Sequence, residues 1–409
     1  MPTPWQYRFA QNAQSTQSSA IRELLKVTQN PEVISFGGGL PAPELFPVEE
    51  FKAASDRILT QSPTAALQYS TSEGYSPLRE MIARQMDKFG MKLGLDNILI
   101  TTGSQQSLDL VSKLMLNNAD RILVENPTFL GALQVFGIFG ARYVTVPIDD
   151  DGLQTDLLPE AFRSGTKFMY VIPNFQNPGG VTLSLKRRDA LIALSDQYGI
   201  PILEDDPYGQ LRFEGETLPP LQALDAARLK TTDGYRDGNV IYLGSFSKTL
   251  APGLRLAWIS APPEVISKLV QIKQGADLHT PIFVQMMAYE TARDGFLERH
   301  IEKIREVYRD RRNVMLAAMD EFFPPEVHWT QPAGGLFLWV RLPEGMVSAE
   351  LLRAALKMNV AFVPGNSFFA TDEKAGDRYF RLNFSNMTPE RIREGIHRLA
   401  KAIREAMKA

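Results

Sequence analysis

Short apolar runs rich in β-branched residues alternate with polar or amphipathic stretches over residues 97–260. Most of these runs are followed by a polar or glycine-rich turn and then by a helical pattern. Apolar runs of this kind are typical of strands that are buried on both faces of a parallel sheet. The pattern therefore predicts an α/β fold, with a mainly parallel seven-stranded sheet flanked by helices. The predicted strands are 97–101, 121–125, 142–147, 167–173, 200–204, 239–243 and 254–260.

The pattern changes after residue 262. A long helical stretch at 296–323 carries many Arg and Glu residues at helical spacing, and shorter strand and helix patterns follow it. This order predicts a smaller α+β domain at the C-terminal end of the chain. We expect three parts: an N-terminal arm with a helix at 18–29, associated with the small domain (1–45), a large domain (46–290) and a small domain (291–409).

Composition narrows the classes of function. The net charge of -3 gives no reason to expect nucleic acid or an anionic membrane as a partner. The chain has no cysteine, which excludes disulfides, thiolate metal sites and a cysteine nucleophile, and its four histidines lack zinc-ligand spacing. No apolar run is long enough to cross a membrane. We expect a cytoplasmic protein without a metal site.

One stretch after the strand 239–243 combines three kinds of side chain that suit a single cofactor. Lys248 could form a Schiff base with an aldehyde, since only a primary amine makes a reversible imine. Ser245, Ser247 and Arg255 could hold a phosphate on the same molecule. Pyridoxal 5'-phosphate (PLP) needs all of these features. The alternative is a serine-rich turn with a solvated lysine and an arginine in an ion pair.

Other polar residues also follow predicted strands, where ligands of parallel sheets bind. Ser104 and Gln105 open a helix whose amides could bind phosphate. Asp205 could keep the pyridine nitrogen of PLP protonated, and Tyr208 could hydrogen-bond the 3'-oxygen of the ring. A magnesium site built from Glu204, Asp205 and Asp206 is the competing interpretation.

Further candidates have plausible structural roles as well. Asn177 could reach the same oxygen or a substrate carboxylate, or simply form a turn. Phe129 could stack on a planar ring, and Tyr69 could reach a phosphate, although both residue types often only pack. Arg381 stands among aromatic residues in a strand, where it could clamp an α-carboxylate or form a structural ion pair.

Taken together and in this order, the motifs resemble those of fold-type I PLP-dependent aminotransferases of class I. The stretches Asn177-Pro-x-Gly, Asp205-x-x-Tyr208, Ser245-x-Ser247-Lys248 and the later Arg255 and Arg381 carry the resemblance, which covers nearly the whole chain. The stretches 19–26, 38–47, 102–106 and 273–281 resemble most the bacterial 2-aminoadipate aminotransferases and the kynurenine/aminoadipate aminotransferases.

The resemblance implies a role for each candidate. Lys248 is the implied Schiff-base lysine and proton carrier, Asp205 pairs with the pyridinium, and Tyr208 and Asn177 hold the 3'-oxygen. The implied phosphate ligands are Ser104, Gln105, Ser245 and Arg255, with Tyr69 arriving from the other subunit of a homodimer. Phe129 stacks on the ring. The implied substrate contacts are Arg381, Asn177 and the backbone of Gly39.

Arg22 occupies the position at which the bacterial enzymes recognise a side-chain carboxylate. An arginine on a short helix could move in for acidic substrates and out for apolar ones. Two positions depart from the family pattern: Gly179 stands where Ser or Thr is usual, and Phe129 stands where close relatives often have Tyr. Both departures bear on substrate preference more than on the chemistry.

We therefore expect a ping-pong aminotransferase that moves the amino group of 2-aminoadipate, and also of glutamate, leucine or aromatic amino acids, to 2-oxoglutarate. The resemblance places such an enzyme in lysine biosynthesis or in general amino acid turnover. Two alternatives stay open at this point. One is a PLP-dependent C–S lyase on the same fold, and the other is a non-catalytic ligand-sensing domain.

Overall fold

The computed structural model of the protein describes residues 3–14, 30, 32–230 and 234–408. The helix predicted at 18–29, which carries Arg22, lies outside these residues. A large central sheet and a smaller antiparallel sheet make up most of the β-structure in the described part of the chain.

The central sheet contains the seven predicted strands and a two-residue eighth strand at one edge. The strands are β2 (Ile98–Thr101), β3 (Arg121–Asn126), β4 (Arg142–Asp149), β5 (Gly152–Leu153), β6 (Thr166–Val171), β7 (Ile202–Asp205), β8 (Val240–Ser245) and β9 (Ala257–Ser260). Their order is β2-β9-β8-β7-β6-β3-β4-β5, and β3, β4, β6, β7 and β8 pair in parallel. Strand β9 is antiparallel to both of its neighbours, and β5 forms a hairpin with β4.

Helices cover this sheet, and some of them lack a clear amphipathic pattern in the sequence. The helix Leu185–Tyr198 lies between β6 and β7 in the chain. The helix Ile282–Ala292 was missed, because it is apolar nearly all round its circumference and so shows little periodicity. The helices over residues 48–292 are Val48–Gln61, Pro63–Leu67, Ser76–Arg84, Ser104–Met115, Leu130–Ile138, Leu158–Arg163, Leu185–Tyr198, Leu221–Arg228, Pro263–Gln274 and Ile282–Ala292.

The smaller sheet is antiparallel and has four strands. They are β10 (His328–Trp329), β11 (Phe337–Arg341), β13 (Val363–Pro364) and β14 (Tyr379–Asn383), in the order β10-β11-β14-β13. The helix Phe296–Phe322 leads into this region, and Ser348–Lys357 and Pro389–Ala406 pack beside it.

The N-terminal segment joins the C-terminal part of the chain through a short parallel ladder. Strand β1 (Ile34–Ser35) pairs with β12 (Val360–Ala361), and the amide of Asn383 donates to the carbonyl of Phe36. These contacts bring residues 37–40 beside the carboxyl ends of the central strands. The three domain boundaries given above stay predictions.

None of the helices in the described ranges is both long and apolar enough to cross a membrane.

Candidate active site

A cavity of about 360 Å³ lies between the carboxyl ends of the central strands and the smaller sheet. It brings together twelve of the residues singled out from the sequence: Gly39, Ser104, Gln105, Phe129, Asn177, Asp205, Tyr208, Ser245, Ser247, Lys248, Arg255 and Arg381. Six further residues, which were not predicted from the sequence, also line the cavity: Leu130, Gly131, Gln134, Ile172, Pro207 and Phe337.

Lys248 follows β8 and points its amine into the cavity. Its Nζ donates a hydrogen bond of 2.6 Å to the carbonyl oxygen of Gly39. Burial, together with the positive charges of Arg381 and Arg255, lowers the pKa of this amine to about 8. A lysine whose pKa lies near neutrality is partly deprotonated, and a neutral amine is nucleophilic.

Asp205 ends β7 with one carboxylate oxygen bonded and the other free. The hydroxyl of Tyr170 donates to Oδ2 at 2.8 Å. The other oxygen, Oδ1, is buried and has no hydrogen-bond partner among the described residues. Burial raises the pKa of Asp205 to about 7, against the lowering effect of the Tyr170 hydrogen bond. The cavity wall therefore presents an acceptor that suits an N–H group of a ligand.

The neighbouring carboxyl groups do not join Asp205 in a metal site. Glu204 accepts from the backbone amides of Leu221 and Gln222, at the start of a helix. Asp206 accepts from the hydroxyl of Tyr242 and from two other groups. No group of three His, Cys, Asp or Glu side chains suited to a metal ion occurs in the part of the chain that the structure describes. The geometry thus speaks against the magnesium interpretation.

One end of the cavity is suited to an anion. Ser104 begins the helix Ser104–Met115, whose N-cap residue is Gly103 and so has no side chain with which to cap the helix. Gly103 has a φ of +83°, and a Cβ there would lie 2.3 Å from a guanidinium nitrogen of Arg255. Ser245 accepts from the amide of Ser247 at 3.0 Å. Amides at a helix start, hydroxyls and a guanidinium together make a phosphate site.

Arg381 lies at the opposite wall and is 1% exposed. Its guanidinium donates to Asn177 Oδ1 at 2.7 Å and to the carbonyl of Gly37 at 2.8 Å. The ring centroids of Phe337 and Phe368 lie 4.2 and 5.2 Å from it. Within the described ranges it makes no salt bridge with a carboxylate, and its Nε has no hydrogen-bond partner. A buried cation with only neutral partners suits an anionic ligand.

The remaining predicted residues occupy the middle of the cavity. Burial raises the pKa of Tyr208 above its usual value, and the side chain of Asn177 hydrogen-bonds its phenol. Phe129 precedes the helix Leu130–Ile138, and Gln105 Nε2 donates to the carbonyl of Gly131 at 3.1 Å. These contacts bring the two loops together at the cavity.

Tyr69 does not line the cavity of its own chain. Its side chain is 79% exposed and meets the ring of His279 edge to face. Arg22 lies outside the described residues.

Comparisons with known proteins agree with this geometry. A family model for aminotransferase class I and II matches residues 31–399. The 2-aminoadipate transaminase of Thermus thermophilus is 46% identical over 98% of this chain and 98% of its own length. The aromatic-amino-acid aminotransferase 1 of Thermococcus litoralis is 44% identical over 98% of this chain and 95% of its own length.

A solved structure extends the likeness to three dimensions. It is the crystal structure of LysN, the α-aminoadipate aminotransferase of Thermus thermophilus, complexed with N-(5'-phosphopyridoxyl)-L-leucine. Its TM-score is 0.91 and its identity 43%, with 99% of this chain and 100% of that chain covered. The chain has the fold of a fold-type I aminotransferase and belongs to the class I and II aminotransferase family.

Proposed function

We propose that this aminotransferase binds PLP in the cavity and transfers amino groups from 2-aminoadipate to 2-oxoglutarate in a ping-pong reaction. The observation that carries the proposal is the pairing of two groups across one cavity. Lys248 offers a nucleophilic amine, and Arg381 with Asn177 offers a clamp for a carboxylate. In an α-amino acid, the amine-bearing carbon stands next to the carboxylate. A substrate whose carboxylate is bound by Arg381 would therefore present this carbon to Lys248, which can take up its proton.

The residues present also fit PLP. The free Oδ1 of Asp205 suits a pyridinium N–H, and the anion site around Ser104 and Arg255 suits the phosphate. We assign the phosphate to Ser104, Gln105, Ser245, Ser247 and Arg255. When bound, PLP supplies an aldehyde that condenses with amines and a protonated ring that withdraws electrons from the carbon to be deprotonated.

The side chains of the chain then have distinct tasks. Lys248 Nζ takes up and returns a proton, which its pKa of about 8 permits near neutral pH. Asp205 would hold the ring proton, while Tyr208 and Asn177 would donate to an oxygen on the ring. Phe129 lines the cavity, where it would cover one face of the ring and exclude water from it. Arg381 orients the α-carboxylate, and the carbonyl of Gly39 lies next to the lysine amine.

The amino donors that we propose rest on the names of the relatives and on the predicted role of Arg22. Two full-length relatives are named for 2-aminoadipate and for aromatic amino acids, and the LysN complex contains a leucine adduct. Arg22 would recognise the side-chain carboxylate of an acidic donor. We therefore propose 2-aminoadipate and glutamate as acidic donors, with leucine and aromatic amino acids accepted as well.

We also propose that two copies of the chain form a homodimer. Tyr69 is largely exposed beside a polar loop, so its phenol is free to reach the phosphate in the second copy. Neither of the alternatives, the C–S lyase or the ligand sensor, is favoured by an observation on the site or by the comparisons.

Initial rates test the proposal. Purified protein loaded with PLP is assayed for glutamate formed from 2-oxoglutarate, with 2-aminoadipate, leucine, phenylalanine and alanine as donors. We expect the highest kcat/KM for 2-aminoadipate and parallel double-reciprocal lines, as a ping-pong reaction requires. Release of pyruvate and ammonia from cysteine or cystathionine, without any 2-oxo acid, would instead identify a lyase.

A further inference from the structure

Lys273 is a buried cation that takes no part in lining the cavity. Its side chain is 0% exposed. Its Nζ donates to both oxygens of Asp277, at 2.7 and 2.8 Å, to Gln106 Oε1 at 3.0 Å and to Thr280 Oγ1 at 3.2 Å. Burying an ammonium group is costly unless its hydrogen bonds are satisfied. The hydrogen-bond partners of Lys273 show which segments of the chain it holds in place.

One set of partners leads to the proposed phosphate site. Gln106 Oε1 also accepts from the amide of Thr102 at 2.7 Å. The hydroxyl of Thr102 hydrogen-bonds Asp277 Oδ2 and Thr280 Oγ1, both at 3.1 Å. Thr102 stands just before Gly103 and Ser104. The hydrogen bonds of Lys273 and its partners therefore fix the loop that enters the anion site.

A second set of contacts leads from Thr280 to the loop that carries Tyr69. The carbonyl of Thr280 is bonded by His279 Nδ1 at 3.0 Å and by Gln285 Nε2 at 2.8 Å. The other end of each of these side chains accepts from the loop. The amide of Ser70 donates to His279 Nε2 at 3.3 Å, and the amide of Tyr75 donates to Gln285 Oε1 at 2.8 Å.

The ring of His279 is thereby held at both nitrogens, with its proton on Nδ1. Tyr69 meets this ring edge to face, with centroids 5.9 Å apart and planes at 89°. Tyr69 is otherwise largely exposed, so its contact with the fixed imidazole limits the directions in which its phenol can point. Thr280, which is 1% exposed, connects the two sets of contacts: its carbonyl bonds His279, and its hydroxyl bonds Thr102 and Lys273.

We propose that Thr280 and His279 are positioning residues for the cofactor phosphate. They hold Tyr69 at the place from which it reaches the phosphate bound by a second copy of the chain. Through its hydroxyl, which bonds Thr102 and Lys273, Thr280 also holds the Thr102–Ser104 loop at the site in its own chain. The inference rests on the proposed function, in which Tyr69 crosses a dimer interface. Its consequence is that breaking the network loosens the cofactor without altering any residue that touches it.

A pair of matched variants tests the role of the Thr280 hydroxyl. T280V removes the hydroxyl that bonds Lys273 and Thr102 and keeps the shape of the side chain. T291V is the control, because Thr291 is also buried and its hydroxyl has no hydrogen-bond partner among the described residues. The release of PLP from the holoenzyme is followed by absorbance after dilution. We expect release to be about tenfold faster in T280V, as the loss of one or two hydrogen bonds implies, and unchanged in T291V.

A double-mutant cycle separates positioning from a general structural role. H279A and Y69F are each expected to speed PLP release. In the Y69F background, H279A is expected to add little, because the phenol that it positions is already gone. H279Q keeps an acceptor for the Ser70 amide and is expected to restore part of the retention that H279A loses. Fully additive effects would overturn the positioning role.

The outcomes distinguish the inference from the function on which it rests. Wild-type protein that binds no PLP would refute the proposed function and the inference together. If Y69F released PLP at the wild-type rate, the assignment of Tyr69 would be wrong. If Y69F released PLP faster while T280V and H279A matched the wild type, the network would be refuted and the proposed function would stand.

Discussion

The two walls of the cavity are built in different ways. The wall with Asp205, Ser245 and Lys248 comes from the ends of adjacent strands, β7 and β8. The opposite wall joins segments that are far apart in sequence, because Arg381 bonds Asn177 and Gly37, which lie 204 and 344 residues away. The central strands place the residues of the first wall, whereas the second requires the N-terminal and C-terminal segments to pack against the sheet. We infer that the first wall serves the cofactor and the second the substrate, so their variants should fail differently.

The largest effect is expected from Lys248. K248A and K248R both remove an amine that can react, and K248R keeps the positive charge as a matched control. We expect turnover to fall by about 10⁴-fold in both variants, through loss of the residue that transfers the proton. A dicarboxylate should still bind at Arg381 in each of them, which an inhibition or calorimetric titration can measure. Full turnover in either variant would refute the assignment of Lys248.

Substitution of Arg381 should weaken the use of the substrate and leave the binding of PLP unchanged. R381K keeps a charge but loses the fork that bonds Asn177 and Gly37 together. We expect kcat/KM to fall by about 10²-fold, in the range for truncating a buried charged hydrogen bond, while the rate of PLP release stays near the wild-type value. Loss of PLP with an unchanged KM would mean that this wall does not serve the substrate.

The same difference explains how far the sequence could predict the site. Lys248, Asp205 and Ser104 were found because parallel strands end at one edge, so polar residues after those strands must meet. The pairing of Arg381 with Gly37 has no such rule, and only the family resemblance suggested that Arg381 and Gly39 belong to one site. The central strands were likewise predicted from their apolar runs, whereas the short hairpin strand β5 has too little pattern to be seen.

Residues that look like ordinary core were missed for a physical reason. Phe337 lies in an apolar strand, and nothing in its neighbours marks it as a contact of Arg381. Tyr170 lies in the apolar run of β6, where a tyrosine commonly only packs. Its role depends on the register of β6 on β7, which pairs it with Leu203 and so places it on the face of Asp205, two residues further along. Register is a tertiary property that the runs alone do not specify.

Tyr170 therefore gives a smaller and more specific test of the cofactor wall. Y170F removes the hydrogen bond that lowers the pKa of Asp205, so that pKa should rise further and the carboxyl should be more protonated at neutral pH. We expect the affinity for PLP to fall by about tenfold, the usual cost of a hydrogen bond to a charged group, with KM little changed. Y143F is the control, since Tyr143 is another tyrosine of the sheet, partly buried, and its hydroxyl bonds the carbonyl of Leu133 instead. Equal losses in the two variants would contradict a specific role for Tyr170.

The smallest expected effect is electrostatic and connects the two walls. In the PLP-free protein, the amine of Lys248 should react with an acylating reagent with a midpoint near pH 8, because burial, Arg381 and Arg255 all lower its pKa. R381M removes one of the positive charges, so the midpoint should move upward. K248R identifies the signal of this amine by removing it. A midpoint near 10.5, the ordinary value for lysine, would show that the amine is not poised for reaction.

The first half-reaction, followed by absorbance without any acceptor, tests the proposed amino transfer directly. PLP-loaded protein is mixed with 2-aminoadipate, and the spectrum and the 2-oxoadipate formed are recorded together. A ping-pong aminotransferase should convert the aldehyde form of the cofactor to the amine form, with one 2-oxoadipate released per site, and 2-oxoglutarate should reverse the change. A spectrum that stays unchanged with 2-aminoadipate, leucine and phenylalanine alike would contradict the proposed amino transfer.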